Sequence, residues 1–381
     1  MTIHWCGTGM SSLPGLKRLI GQGREVRVWN RSVNKAKAAL GDLVDQVSPF
    51  DLSLLAQALK PGDVAVSMLP GDWHVPIAEA CLEAGAHFVS SSYISPDMKE
   101  LCEPARQAGV ALVNEVGLDP GIDHLMAHWL VADYRKSPAC DAANAISFTS
   151  YCGGVPKQPN AFRYKFSWAP AGVLRALKSP SRSIRAFTEL SVTKPWDALT
   201  SYTAPLARPE RFEVYPNRDS LPFMDEYGFD PAWRIREFVR GTLRLNGWAD
   251  AWQPIFEALE SLDGADAERW IADTSARLQA ENSYDEGEPD RVVLCVSLKA
   301  ENEGLAVYHK TYTLDAFGDG RGSAMARLVS GPVSLAAEAI LAGRIQAGVS
   351  AAPSDPALVA EWLAHVGTQA QYLWVVDHTL R

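Results

Sequence analysis

Gly7-Thr8-Gly9 stands between two short apolar runs, Ile3–Cys6 and Glu25–Trp29, with a helix-like stretch between the second glycine and the second run. Strand, glycine turn, helix and strand in that order are the parts of a dinucleotide-binding unit. Gly7 permits the tight turn, and Gly9 lets backbone approach a pyrophosphate seated on a helix N-terminus. Met10 and Ser11 continue the turn and complete its candidate cofactor contacts. The third glycine position holds Ser12, which is small but carries a Cβ, and sets the helix slightly farther from the strand. At the end of the second strand, NAD sites usually carry Asp or Glu to accept from the ribose 2′-hydroxyl. Here the residues are Asn30, Arg31 and Ser32, with Lys35 one turn on. A guanidinium pairs with a 2′-phosphate that a carboxylate would repel, so the pattern predicts NADP(H). The bland alternative is that Arg31 and Lys35 are solvated charges opening a helix.

The surrounding elements repeat the alternation. Leu52–Leu59 reads as helix, Asp63–Leu69 as buried strand, His74–Ala84 as helix, Phe88–Ser90 as strand, Asp97–Gln107 as helix and Val110–Asn114 as strand. That order predicts an α/β fold with a doubly wound parallel sheet over residues 1–118. Leu69-Pro70 and Ser91-Ser92-Tyr93 then lie at the carboxyl ends of strands, where open α/β sheets bind ligands. Leu69 and Pro70 join the candidate cofactor contacts.

Beyond Asp119 the pattern changes to α+β. Ala145–Tyr151, Phe187–Val192 and Phe212–Tyr215 read as strands, and residues 229–282 as helical. Val292–Lys299 and Ala306–Leu314 form a hairpin across Asn302-Glu303-Gly304. Residues 323–345 and 356–366 return to helix. The expected organisation is a substrate domain over 119–322 with a helical insertion at about 225–285, and C-terminal helices from about 323 to 381 closing the first domain.

The 381-residue chain is 47% hydrophobic and 21% charged, as in an ordinary globular enzyme. Its net charge of −9 argues against nucleic acid or an anionic membrane as partner. Six cysteines without C-x-x-C spacing, and a first strand beginning at residue 3, point to a cytoplasmic protein. No apolar stretch approaches the roughly 20 residues of a membrane span.

Several longer strings are more specific than the glycine turn. Ser91-Ser92-Tyr93-Ile94-Ser95-Pro96, the run Asn114–His124 containing Asp119-Pro120-Gly121-Ile122-Asp123-His124, Ser150–Pro156, Tyr164–Trp168, Tyr215–Ser220 and Arg240–Arg244 resemble the saccharopine dehydrogenase family. Among its branches the chain most resembles the L-glutamate-forming one. The resemblance runs from residue 3 to about 345. It implies a Rossmann domain, a mixed-sheet domain, a homodimer, and oxidation of saccharopine with NADP to glutamate and 2-aminoadipate semialdehyde. Sibling branches acting on carboxylated polyamines or lysine are the nearest alternatives, and a non-catalytic NADP-binding regulator is another.

Within that resemblance Tyr93, Asp119 and Cys152 map onto the reaction centre, with Ser92 beside them. Asp119 either orients the secondary amine, takes its proton, or caps a helix. Cys152 binds and orients without acting as a nucleophile, because the imine forms inside the substrate. Gly153 follows it and allows close approach of substrate to backbone. Saccharopine carries three carboxylates, so cations are expected around it. Arg218 is the first candidate for a bidentate clamp. Lys165, or the backbone at Lys165-Phe166, is the second. Arg240 and Arg244, four apart on an expected helix or turn, either reach the pocket or make ion pairs. His124 and His128 share one helical face at metal-ligand spacing, but hydride chemistry needs no metal, and packing is the preferred reading.

Overall fold

The computed structural model describes residues 1–44 and 46–379. The chain divides into two compact units, Met1–Leu125 with Met325–Gln369, and Met126–Ala324 with the residues from Ala370 on.

In the first unit the elements are β1 (Ile3–Cys6), α1 (Leu13–Gly21), β2 (Val26–Asn30), α2 (Val33–Leu40), β3 (Val47–Pro49), α3 (Leu52–Ala58), β4 (Val64–Ser67), α4 (His74–Ala84), β5 (His87–Ser90), α5 (Pro96–Glu100), α6 (Cys102–Ala108) and β6 (Ala111–Val113). The helix α7 (Ile122–Lys136) carries the chain into the second unit. There follow β7 (Ala145–Pro156), α8 (Pro170–Leu177), β8 (Ser181–Arg185), β9 (Thr188–Val192), β10 (Thr200–Ala204), β11 (Glu210–Pro216), α9 (Phe223–Glu226), β12 (Arg234–Leu245), α10 (Trp248–Ser261), α11 (Gly264–Glu281), β13 (Asp290–Asn302) and β14 (Leu305–Phe317). Next, α12 (Ala324–Leu341), β15 (Gly348–Ser350) and α13 (Pro356–Gln369) return to the first unit, and β16 (Tyr372–Asp377) to the second.

The first unit is a seven-stranded parallel sheet in the order β15-β6-β5-β4-β1-β2-β3. Strands β1 and β4 are buried throughout, as expected of a sheet covered on both faces. The order reverses at β1, whose neighbours are β2 and β4. The carboxyl ends of those strands therefore form a topological switch point. Helix α1 reaches α12 through Gly15, where a Cβ would sit 2.0 Å from the Ser330 carbonyl oxygen. Helix α12 is long and apolar enough to cross a membrane by composition, yet 83% of it is buried, as in a core helix.

The second unit is a nine-stranded mixed sheet, with the path β10-β11-β12-β7-β13-β14-β16, β8 on β12 and β9 on β8. The β12–β7 pair is parallel and the other pairs are antiparallel. The β13–β14 hairpin turns at Glu303 and Gly304, both with positive φ, as a two-residue turn requires.

Three expectations need correction. Residues 234–245 are strand, not helix. Their period-2 alternation is hidden because both faces are largely buried from Phe238 on, and Arg240 and Arg244 imitate a polar helical face at spacing four. The C-terminal stretch 372–377 is a strand paired with β14, and not part of a closing helix, because Tyr-Leu-Trp-Val-Val completes the edge of the mixed sheet. The expected single helix over 97–107 is two helices, α5 and α6, which meet at Leu101.

Candidate active site

The glycine turn is held from three sides. Gly7 donates to Trp29 O at 2.7 Å and adopts φ 101°. A Cβ there would meet the Met68 carbonyl at 2.9 Å and Leu69 Cδ2 at 3.1 Å, so only glycine lets β1 end against β4. Ser12 is not a loosened third glycine: its hydroxyl donates to Gly7 O at 2.7 Å and accepts from Trp5 Nε1 at 2.8 Å. The side chain that replaces glycine thereby ties the helix to the strand. Asn30 bridges the turn to the chain after β2, taking the Thr8 N–H at 3.1 Å and donating to Ser32 O at 2.8 Å.

Above Gly9 the space is open, with no atom within 4 Å of an ideal Cβ. Met10 and Arg31 are exposed, Ser11 is half-buried, and Leu69-Pro70 follows β4 beside the turn. An open backbone edge at the start of the nine-residue α1, a neutral amide at the ribose position and an exposed guanidinium next to it fit a phosphorylated dinucleotide.

At the ends of β5 and β6 a second group of polar residues is built. Tyr93 Oη donates to Asp119 Oδ1 at 3.2 Å. Asp119 sits in a knot where Gly117 N bonds Pro120 O at 2.9 Å, and Gly121, at φ 145°, passes so close that a Cβ would lie 2.2 Å from Gly117 O. Glu115 braces this knot: Oε1 accepts from Ile94 N at 2.8 Å, and Oε2 meets His124 Nε2 at 2.9 Å. Asp123 Oδ1 accepts from Gly121 N at 2.7 Å, and its other oxygen lies 3.7 Å from His124 Nδ1. His124 is thus committed to carboxylates that shape the loop, while His128 stacks edge-on against Tyr227. Ser92 reaches His74 Nε2 at 2.8 Å, and His74 Nδ1 meets Ser67 Oγ at 2.9 Å. Burial pushes the His74 imidazole down to about 4, so it is neutral at physiological pH.

In the second unit the register puts Cys152 opposite Thr242 and Leu294, and Tyr215 opposite Thr242. Arg240, Thr242 and Arg244 share the face of Cys152, because strand side chains alternate. Both arginines are buried, at 3% and 5% exposure. Arg240 lies 3.9 Å from the Phe223 ring centroid. Arg244 donates to Tyr215 Oη at 3.0 Å and lies 4.8 Å from the Tyr164 ring and 5.4 Å from Trp248. Its Nε, the Tyr164 hydroxyl and the Trp248 indole N–H have no hydrogen-bond partner among the described residues. A buried guanidinium walled by aromatic rings is a site for an anion.

The other candidates are placed differently. Lys165 Nζ is 2.5 Å from Glu288 Oε2, so its charge is already met from within the chain. Phe166 is buried against Tyr164, ring centroids 5.0 Å apart, with its N–H on Asn282 O. Arg218 stands exposed after β11 in left-handed backbone, and its carbonyl accepts from Arg182 N. At Gly153 a Cβ would lie 2.2 Å from Leu243 O, so the close approach of the neighbouring strand requires glycine. The sequence reading missed His74, Ser67, Glu115, Tyr164 and Trp248 as parts of these clusters. Of these, Glu115 and Tyr164 fell inside the strings that carried the resemblance.

Comparison with known proteins covers both units. The family model described as the saccharopine dehydrogenase NADP binding domain matches residues 7–113, and that of the saccharopine dehydrogenase C-terminal domain matches residues 117–369. A saccharopine dehydrogenase [NADP(+), L-glutamate-forming] of Pyricularia oryzae is 28% identical over 89% of this chain and 90% of its own. The Saccharomyces cerevisiae protein of the same name is 29% identical over 92% and 93%. Among solved structures, apo saccharopine dehydrogenase (L-Glu forming) from Saccharomyces cerevisiae superposes with a TM-score of 0.81 at 26% identity, covering 99% of both chains. A homospermidine synthase from Legionella pneumophila shares the fold, with a TM-score of 0.67 at 10% identity.

Proposed function

Because the chain belongs to the saccharopine dehydrogenase family, we propose that it is an NADP-dependent oxidoreductase that converts saccharopine, NADP+ and water to L-glutamate, 2-aminoadipate 6-semialdehyde and NADPH. The observation that carries this reading is the Arg244 cage: a buried cation among aromatic rings, on the sheet face that also bears Cys152. Saccharopine is a secondary amine with three carboxylates, and such a cation suits one of them.

NADP+, when bound, accepts the hydride. Gly7, Gly9, Met10 and Ser11 would hold its pyrophosphate, Asn30, Arg31 and Ser32 its phosphorylated ribose, and Leu69 and Pro70 would line the approach. In the oxidative direction the amine loses a proton and the adjacent carbon loses a hydride. Water then adds to the resulting imine, and the C–N bond breaks to release glutamate. Tyr93 and Asp119 orient the amine, their mutual hydrogen bond keeping the carboxylate turned toward the phenol. Cys152 and Phe166 would contact the substrate, and Arg218, Arg244 and the backbone of the Lys165 segment would take its carboxylates. No covalent enzyme intermediate is needed, since the imine lies within the substrate.

The reading also includes a homodimer, supported by exposed Leu305, Val307 and Tyr372 on the second unit. It includes a cytoplasmic location, supported by six cysteines that are all free thiols. The reaction is tested by following absorbance at the reduced nicotinamide band with saccharopine, lysine and carboxynorspermidine, each against NAD+ and NADP+. Turnover is expected with saccharopine and NADP+. Turnover confined to lysine or carboxynorspermidine would overturn the substrate assignment.

A further inference from the structure

His74 joins the end of β4 to the Ser91-Ser92-Tyr93 loop, and its chemistry is directional. Its two ring nitrogens lie 2.9 Å from Ser67 Oγ and 2.8 Å from Ser92 Oγ. A neutral imidazole has one N–H donor and one lone-pair acceptor, so it must treat the two serines differently. Ser67 decides which is which. Ser67 is 1% exposed, and among the described residues its hydroxyl bonds His74 Nδ1 alone. A buried O–H without an acceptor is costly, so Ser67 donates to Nδ1. The ring proton then sits on Nε2 and is donated to Ser92 Oγ. With its oxygen occupied as acceptor from that side, the half-buried Ser92 must direct its own proton outward.

We propose that His74 is a positioning residue that makes Ser92 an obligatory hydrogen-bond donor toward a substrate carboxylate, and so selects an anionic group over an amine at that point. The inference rests on the assignment of Ser92 to the substrate site. The relay runs Ser67 O–H to His74 Nδ1, His74 Nε2–H to Ser92 Oγ, and Ser92 O–H to the ligand. Ser67 donates, and His74 and Ser92 each accept once and donate once. The T-shaped Phe88 ring, with its centroid 6.1 Å away, and the surrounding burial keep the imidazole neutral, which the relay requires. Reversal of the ring proton would turn every arrow around and present lone pairs to the ligand instead.

Two measurements test it, and only the second depends on the substrate. In ligand-free protein with 15N-labelled histidine rings, His74 should show an unprotonated Nδ1 and a protonated Nε2. An Nδ1–H tautomer overturns the relay whatever the enzyme acts on. In steady-state kinetics, His74→Ala should raise the saccharopine KM about tenfold, the value of one oriented hydrogen bond to a charge, with little change in kcat or in the KM for NADP+. His74→Gln, whose amide can still donate to Ser92, should recover most of that loss. His74→Glu, which can only accept, should be worse than alanine. In a Ser92→Ala background the His74→Ala effect should vanish, which a general loss of packing would not produce. Equal losses for Gln and Glu, or additive losses with Ser92→Ala, overturn the proposal. Failure of the wild-type protein to turn over saccharopine would count against the family reading, leaving the tautomer measurement to judge the relay.

Discussion

The polar cluster of the first unit and that of the second are built on opposite plans. Around Glu115, His124, Asp123 and His74, the hydrogen bonds close on one another within the chain. Around Arg244, donors face inward unanswered: its own Nε, the Tyr164 hydroxyl and the Trp248 indole N–H. Desolvation without a partner costs free energy in the resting protein, so the second arrangement persists because something else supplies the acceptor. A closed network holds backbone and hydroxyl groups at fixed angles. An open cationic cage stores affinity for an anion. The first unit positions and the second captures.

The sharpest way to break this contrast is Arg244→Met. A guanidinium that serves the substrate should be missed by the substrate and not by the fold. The expected result is a rise of about 100-fold in saccharopine KM, equivalent to two charge-assisted hydrogen bonds, with NADPH affinity unchanged. Thermal stability should hold or rise, since replacing a buried charge that meets no carboxylate among the described residues with an apolar chain of similar length is often stabilising. A KM within about threefold of wild type together with a fall in melting temperature would make Arg244 a structural cation and erase the contrast.

Glu115→Ala probes the other plan and should fail in the opposite way. It removes the carboxylate that meets buried His124 Nε2 and the half-buried Ile94 N–H, so a loss of about 2 kcal/mol in unfolding free energy is expected. Saccharopine KM and kcat in the fraction that remains folded should change less than for Arg244→Met. Chemical denaturation reads the first quantity and initial rates the second. A stable variant with a large KM effect would show that Glu115 contacts ligand and does not brace the loop.

Legibility followed the range of the interactions. The Gly7-Thr8-Gly9 turn and the alternation of β1 to β6 with their helices were readable, because each depends on neighbours a few residues away. The Asp119–His124 string was recognisable as a string, but its internal wiring was not. Glu115 finds His124 only because the loop after β6 doubles back through Gly117 and Gly121. Lys165 looked like a free cation until the fold brought Glu288 to it from 123 residues away. Residues 234–245 misled for a related reason. Burial on both faces removes the polar–apolar contrast that marks a strand, and the tryptophans that follow in α10 extend a helical spacing backward. His74 gave no signal, since its partners Ser67 and Ser92 meet it only after three consecutive elements have packed.

The smallest expected effect separates the units by pH. His74 in the first and His309 in the second are both pushed down to about 4, chiefly by burial, and for His309 also by the stacked His378 ring at 4.1 Å and by Lys299. An unfolded histidine takes up a proton below about pH 6.5, whereas the folded ones resist until about 4. Between those values unfolding binds protons, so stability is full above about 6.5 and falls as the pH drops toward 4. Each histidine contributes a slope of at most about 1.4 kcal/mol per pH unit, and His309, being less enclosed, contributes less. His309→Phe and His74→Ala should each flatten the acid side of the stability curve measured by urea unfolding from pH 7 to 4.5. Only the His74 variant should also disturb the saccharopine KM. If neither variant flattens the curve, carboxylates carry the acid sensitivity. If His309→Phe alters the KM as well, the second histidine has a share in the site that the stacking geometry does not suggest.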